Sequence, residues 1–176
     1  MFRHLLRAFT VALALVPLAA LATTVLPLTR ADLASRADTI VRAKVGTRTT
    51  VRSEKTGRIL TRTKLSVLAT YKGEAKAELE LEQMGGTLDG ATLVVPGDAR
   101  IATGEEAVLY LRCVGKARCH VFGLGLGKYG VRTEKDGRKI AVRDLQGLRS
   151  LSGRPLPEEP ALPLADLEKE LKGAKP

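Results

Sequence analysis

Proton transfer or metal binding would have to run through His120, because the only other histidine, His4, lies in the N-terminal segment described below. A zinc site takes three or four ligands from His, Cys and carboxylates, and His120 has no such company in the sequence. A Ser-His-Asp triad needs the same imidazole, and no Gly-x-Ser-x-Gly elbow accompanies it. His120 is therefore expected to be a strand-edge side chain beside a disulfide. No metal, no cofactor and no catalytic residue are expected.

Cys113 and Cys119, the only cysteines, flank what reads as a hairpin, Val108 to Arg112 followed by His120 to Gly123. Outside the cytosol such a pair is most simply a disulfide. It would stabilise the fold by only roughly 2 kcal/mol, because the closed loop is short. A redox pair would show the Cys-x-x-Cys spacing that lowers a thiol pKa, and that spacing is absent. Paired carboxylates of the glycosidase kind could be sought in Glu105-Glu106 or in Glu78, Glu80 and Glu82. The first pair reads as a turn entering a strand, and the second group as a sheet face opposite cations. Gly123 to Lys128 lacks the spacing of a phosphate-binding loop and its following Ser or Thr, so its glycines are expected to serve bulges or close backbone packing.

Arg42, Lys44, Arg48, Arg52, Arg58, Arg62 and Lys64 are the strongest candidate binding residues. If the first two strands pair, their polar sides form one cationic face, with Arg42, Lys44, Arg48, Arg62 and Lys64 at its centre, suited to an anionic surface or partner. Glu78, Glu80 and Glu82 on a neighbouring strand could instead neutralise it. Single-strand nucleic acid would need exposed aromatic platforms. Beyond the N-terminal segment there are only Tyr71, Tyr110, Phe122 and Tyr129, with Tyr71 and Phe122 reading as core, so no nucleic-acid partner is expected.

These side chains hang on a β-rich framework. Thr29 to Ala37 reads as a short helix capped by Thr29, with Asp32 completing a weaker form of the capping box. From Val41 to Val51 the odd positions are apolar or β-branched while Arg42, Lys44, Arg48 and Arg52 are even, the period-2 mark of a half-buried strand. Ile59 to Tyr71 repeats the pattern, and Ala77 to Glu82 sets Ala77, Leu79 and Leu81 against glutamates. Shorter strands follow near Thr92 to Val95, Glu106 to Arg112, His120 to Gly123, Tyr129 to Glu134 and Arg138 to Arg143. Asp136-Gly137 is the dipeptide expected to make a two-residue hairpin. Such spacing predicts a mainly β chain, an antiparallel barrel or sandwich. Residues 23–148 form the barrel domain, 149–163 a proline-rich extended connector, and 164–176 a terminal helix whose Leu164, Leu167 and Leu171 either dock or fray.

The N-terminus carries Arg3, His4 and Arg7, an apolar run from Ala8 to Leu21, and the small-x-small site Ala20-Leu21-Ala22. That is the layout of a secretory signal peptide. About 14 apolar residues containing Pro17 fall short of the roughly 20 that span a bilayer. Residues 1–22 are thus expected to be cleaved after Ala22, leaving a periplasmic or secreted protein without a transmembrane segment. The formal charge of the whole chain, +10, favours anionic neighbours, and outside the cytosol these are an acidic protein or an envelope polymer. Composition does not choose an oligomeric state.

Asp38 to Val45, Thr63 to Tyr71 closed by Lys72-Gly73, Gly85-Gly86 with Val95-Pro96-Gly97, and Gly104 to Leu111 resemble, in that order, a group of uncharacterised exported bacterial single-domain proteins. Their pattern has a strand of the type Ala-Asp-x-Val-Val-x-Gly-x-Val, a second ending in Lys-Gly, and Gly-Glu-Glu before a hydrophobic strand. The likeness runs over about residues 30–145. The layout is more distantly similar to the netrin-like OB barrels of the tissue inhibitors of metalloproteinases, and it implies a barrel of that type with a short helix before it. Those inhibitors reach the protease zinc with an N-terminal cysteine, where this chain has Thr23-Thr24-Val25. The function expected is a non-enzymatic exported interaction module, with a hydrolase, hydrolase accessory or protease-inhibitor-like protein as the alternative. Intact-mass analysis of the protein from an exporting host is expected to give a chain beginning at Thr23; a mass that retains residues 1–22 would refute the leader.

Overall fold

The computed structural model describes residues 22–74, 76–115 and 118–173. The leader predicted at residues 1–22 therefore lies outside the described residues except for Ala22. In chain order the elements are β1 (Thr23–Thr24), α1 (Arg30–Arg36), β2 (Thr39–Arg52), β3 (Ile59–Lys72), β4 (Glu78–Met84), β5 (Gly86–Leu88), β6 (Ala91–Leu93), β7 (Glu106–Val114) and β8 (Arg118–Val121). A 3-10 turn at Leu124–Gly127 leads to β9 (Lys128–Thr133), β10 (Lys139–Arg143), β11 (Leu148–Arg149), β12 (Leu162–Pro163) and α2 (Leu164–Gly173).

β8 pairs with both β7 and β4, so β7, β2, β3, β4 and β8 close into a ring, while β9, β10 and β12 extend the sheet outward from β7. The expected all-antiparallel pairing is corrected at the seam, where β4 and β8 run parallel through Glu80↔Arg118 and Leu81↔Cys119. A ring with an odd number of strands cannot alternate direction all the way round, so one pair must run parallel. β1 and β11 form a second parallel pair.

The sequence Ala107 to Leu111 is apolar without interruption, and it is buried on both sides, as an unbroken hydrophobic run requires. Ala107, Leu109 and Leu111 join Val41, Ala43, Val45, Leu65 and Leu81 inside the ring. Val108 and Tyr110 belong to a second core with Leu33 of α1, Tyr129 and the three leucines of α2. The terminal helix thus docks, placing Leu164, Leu167 and Leu171 in that core. Thr29 and Asp32 form the reciprocal capping box at α1, and the hydrogen bond from Thr29 holds the Asp32 carboxyl below its ordinary pKa.

Three local expectations change. Gly46 and Thr47 form a bulge: Val45 faces Leu65, but the next pair is Arg48 with Thr63. Directly opposed residues share a face, so Arg48 turns to the side of fully buried Thr63, and the alternation read from Val41 to Val51 breaks there. The two-residue hairpin is made by Asp89-Gly90, which joins Leu88 to its partner Ala91 with both φ angles positive, as a type I′ turn needs. Asp136-Gly137 instead sits in a wider turn closed by Glu134 N–H to the Arg138 carbonyl at 2.8 Å. Finally, the proline-rich segment is stitched down: Leu162–Pro163 pairs with Ala141 and Ile140 as a sheet edge, a place where a missing N–H is tolerated.

Leu167 has no exposed surface. Leu167→Ala is expected to destabilise the protein by about 2–5 kcal/mol in chemical denaturation, whereas a frayed helix would give a change near zero.

Candidate functional site

The cations predicted to share one face are divided between two. Arg42 stands on the outer face, half-buried under α2, 3.4 Å from Glu106 and 3.3 Å from Glu168. Arg62 lies 3.2 Å from Glu82 and 3.8 Å from Glu80, two of the glutamates considered as its neutralisers. Lys44 and Lys64 remain exposed but stand in register with Glu106 and Glu80. Positive and negative side chains alternate across this surface, and exposed pairs of this kind each contribute roughly 0–1 kcal/mol.

Arg48, displaced by the bulge, instead borders a cleft of about 620 Å³ at one end of the ring. Gln83, Met84, Val94, Asp98 and Arg100 line it further. Of the nearby acids, Asp89 pairs with Arg52, Asp144 lies 3.7 Å from Arg100, which also donates to Gln146 Oε1 at 2.8 Å, and Asp98 accepts from Gln83 Nε2 at 3.2 Å and Ala99 N–H at 2.7 Å. Arg48 is exposed with no ion pair among the described residues. Burial pushes the Asp98 carboxyl above its ordinary pKa, against the opposing effect of the two donors. The floor is main chain: a Cβ on Gly97 would fall 2.3 Å from Leu148 Cδ2, and one on Gly147 would fall 2.8 Å from Gly97 N.

Arg100, Gln146 and Gly147 also border a second cleft of about 900 Å³. Arg132, Arg143 and Arg149 line it together with Asp144, Glu158 and Glu159. Arg143 is buried, stacked 4.4 Å over the Tyr129 ring and 2.8 Å from Glu159. Glu159, from the proline-rich segment, also receives the Tyr129 hydroxyl at 3.1 Å and pairs with Arg30. This cluster ties the segment to the second core. Tyr110 and Tyr129 are fully buried, and burial pushes the Tyr110 hydroxyl up to about 12. Of the other two rings among the described residues, both partly buried against the second core, Tyr71 donates to Glu168 and Phe122 lies under the Arg112 guanidinium at 4.5 Å.

The residues weighed for catalysis are dispersed. His120 is exposed on β8, with Nδ1 3.0 Å from the Glu82 carbonyl. Glu105 holds Lys128 at 2.7 Å, and Glu106 holds Lys139 at 2.7 Å. Cys113 and Cys119, opposite one another across the β7–β8 hairpin, are disulfide-bonded. Gly125 in the glycine-rich loop donates to the Gly97 carbonyl at 2.9 Å, so that loop packs against the cleft floor. No group of three or more His, Cys, Asp or Glu side chains that could hold a metal ion occurs among the described residues.

Sequence reasoning missed Gln83, Asp98, Arg100, Arg132, Arg143 and Arg149. None sits in a motif, and only loop closure brings them together. The Asp89-Gly90 dipeptide was the available signal for the hairpin beside the cleft.

A carboxyl whose folded pKa is raised adds stability that is fully present below its unfolded value of 3.8 and is lost as pH rises through the folded value. Denaturation midpoints are therefore expected to lose this contribution as pH rises above 3.8, while Asp98→Asn lacks the step; identical pH profiles for the two proteins would refute it. Neither the protein-family models nor the curated proteins contain a match to this chain.

Proposed function

We propose that this protein is a non-enzymatic interaction module that acts after export and binds an anionic partner through Arg48 and Arg100 at the ring mouth. The observation that carries this reading is the position of Arg48. Its neighbours in sequence, Arg42 and Lys44, stand among glutamates, whereas Arg48 is turned into a cleft and keeps its charge uncompensated. An unpaired guanidinium at the edge of a low-dielectric concavity attracts carboxylates and phosphates strongly, and it binds them through a planar fork of donors.

The ring supports an OB-type barrel as the underlying architecture. Its first strand, β2, pairs with both the second, β3, and the fourth, β7, as expected of a five-stranded Greek-key barrel. The netrin-like variant finds support in the helix before the ring and the helix packed outside it. The Cys113–Cys119 bond supports export, since disulfides persist in oxidising compartments. No helix of the described residues is long and apolar enough to cross a membrane.

Tagged protein should capture an acidic protein or polymer from the envelope fraction at low salt and release it as salt screens the contact. Arg48→Glu is expected to lower capture about tenfold, the size of effect a reversed contact charge has on a steered complex. Equal recovery by wild type and Arg48→Glu, or recovery independent of salt, would refute the reading. Nuclease, protease and polysaccharide-hydrolase treatment of the captured material identifies the anion.

A further inference from the structure

We propose that β6 is an open docking edge, and that the partner adds an extended acidic polypeptide strand to it. β6 pairs only with β5. In that hairpin Leu88 with Ala91 and Gly86 with Leu93 are opposed at either side of Thr87 and Thr92, and main-chain groups of successive residues point alternately toward and away from the partner strand. The backbone N–H and C=O of Thr92 therefore point away from β5, and continued alternation would turn those of Val94, one residue past the ladder, the same way. No backbone hydrogen bond of the described residues takes them up. This is an unpaired row of the kind that proteins ordinarily cover, charge or interrupt.

The edge is short, three paired residues ended by Pro96, but it carries no charge. Ala91 to Val95 reads Ala-Thr-Leu-Val-Val, without a charge or a proline, and its β-branched residues favour extended structure. The sequence continues the strand to Val95, whereas pairing stops at Leu93, so two strand-forming residues lack a neighbour. Val94 is 71% exposed. The type I′ turn at Asp89-Gly90 joins β5 and β6 through two residues.

The cleft beside this edge determines the occupant. Thr92 to Val95 border the same cavity as Arg48 and Arg100. A strand added to β6 would bring side chains of one parity over the cavity, and carboxylates there would meet the Arg48 guanidinium, with Arg100, shared with Asp144 and Gln146, beside it. Main-chain hydrogen bonds would then give affinity and the arginines the choice of side chain, the division of labour of strand addition. The inference rests on the reading of the ring mouth as an anion-binding site. A second copy of this chain would bring its own basic cleft toward Arg48 and Arg100, which disfavours edge-to-edge pairing of two copies.

The probe is a short acetylated and amidated peptide of repeating Val-Glu. Its controls are a Val-Gln repeat and a Val-Glu repeat with alternate backbone nitrogens methylated, followed by NMR of the isotope-labelled protein. The Val-Glu peptide is expected to shift the amide signals of Thr92 and Val94 and slow their hydrogen exchange. Removing the main-chain bonds, by N-methylation or by Val94→Pro, is expected to weaken binding about tenfold or more. The Val-Gln peptide and Arg48→Glu are expected to give a similar loss. Undiminished binding of the N-methylated peptide, or no change at Thr92 and Val94 at saturation, would overturn the edge while leaving the anion-binding reading intact. Equal binding of the Val-Gln and Val-Glu peptides would remove the acidic requirement and that reading with it. Protection of Thr92 and Val94 that rises with protein concentration in the absence of peptide would make a second copy the occupant and overturn the proposal.

Discussion

Burial of β7 on both faces is the constraint from which the rest of the architecture follows. Ala107, Leu109 and Leu111 need an apolar cover on one side, and Val108 and Tyr110 need another on the opposite side. Curling the sheet supplies the first cover, because β2, β3, β4 and β8 return around the strand. The second cover is assembled from α1, α2, β9 and β10. An uncovered face would leave several large apolar side chains in water at a cost of roughly 1.5–3 kcal/mol each. The two ends of the chain are thereby recruited to the body: α1 precedes the ring, α2 follows the sheet, and both meet over the same strand.

This recruitment explains the buried charges near α2. Arg42, Glu106 and Glu168 meet where the helix crosses the sheet, and Arg30, Arg143 and Glu159 meet at the neighbouring edge. Each cation has a carboxylate within reach, as partial burial of charge requires. Tyr71 donates to Glu168 at 2.6 Å, and Tyr129 donates to Glu159 at 3.1 Å. Removing one partner from such a cluster leaves the other charge buried and unpaired, so the polar contacts fix where the helix and the proline-rich segment lie more than they add stability.

Where a rule is local, the sequence reads well. Leu79 and Leu81 alternating with glutamates, the Thr29–Asp32 cap and the leucine spacing of α2 all appear where their patterns place them. The facing of Cys113 and Cys119 follows from a hairpin that is itself local. The parallel seam between β4 and β8 was not legible, because direction around a closed ring is a property of strand count and not of any one strand. Neither was the reversal of facing after Val45. An isolated glycine inside a strand pattern is a cue for a bulge, and Gly46 is that glycine, but it does not fix the side to which Arg48 turns. The cationic face read from the sequence depended on that alternation continuing, so one inserted residue was enough to divide it.

That division separates two kinds of surface made from the same residue types. On the outer face the strand register sets Arg62 opposite Glu82, Lys64 opposite Glu80 and Lys44 opposite Glu106, and Arg62 is ion-paired there with Glu82. At the ring mouth the register supplies no such partner, because Arg48 faces Thr63 and the residues Val94 to Gly97 that line the same cleft carry no charge. A surface that compensates its own charges presents little to a partner, whereas the ring mouth combines the Arg48 guanidinium, which has no ion pair among the described residues, with the outer edge of β6. The bulge at Gly46-Thr47 thus has a consequence beyond local geometry, since it moves one arginine from a surface neutralised by its neighbours to a cavity where its charge is available.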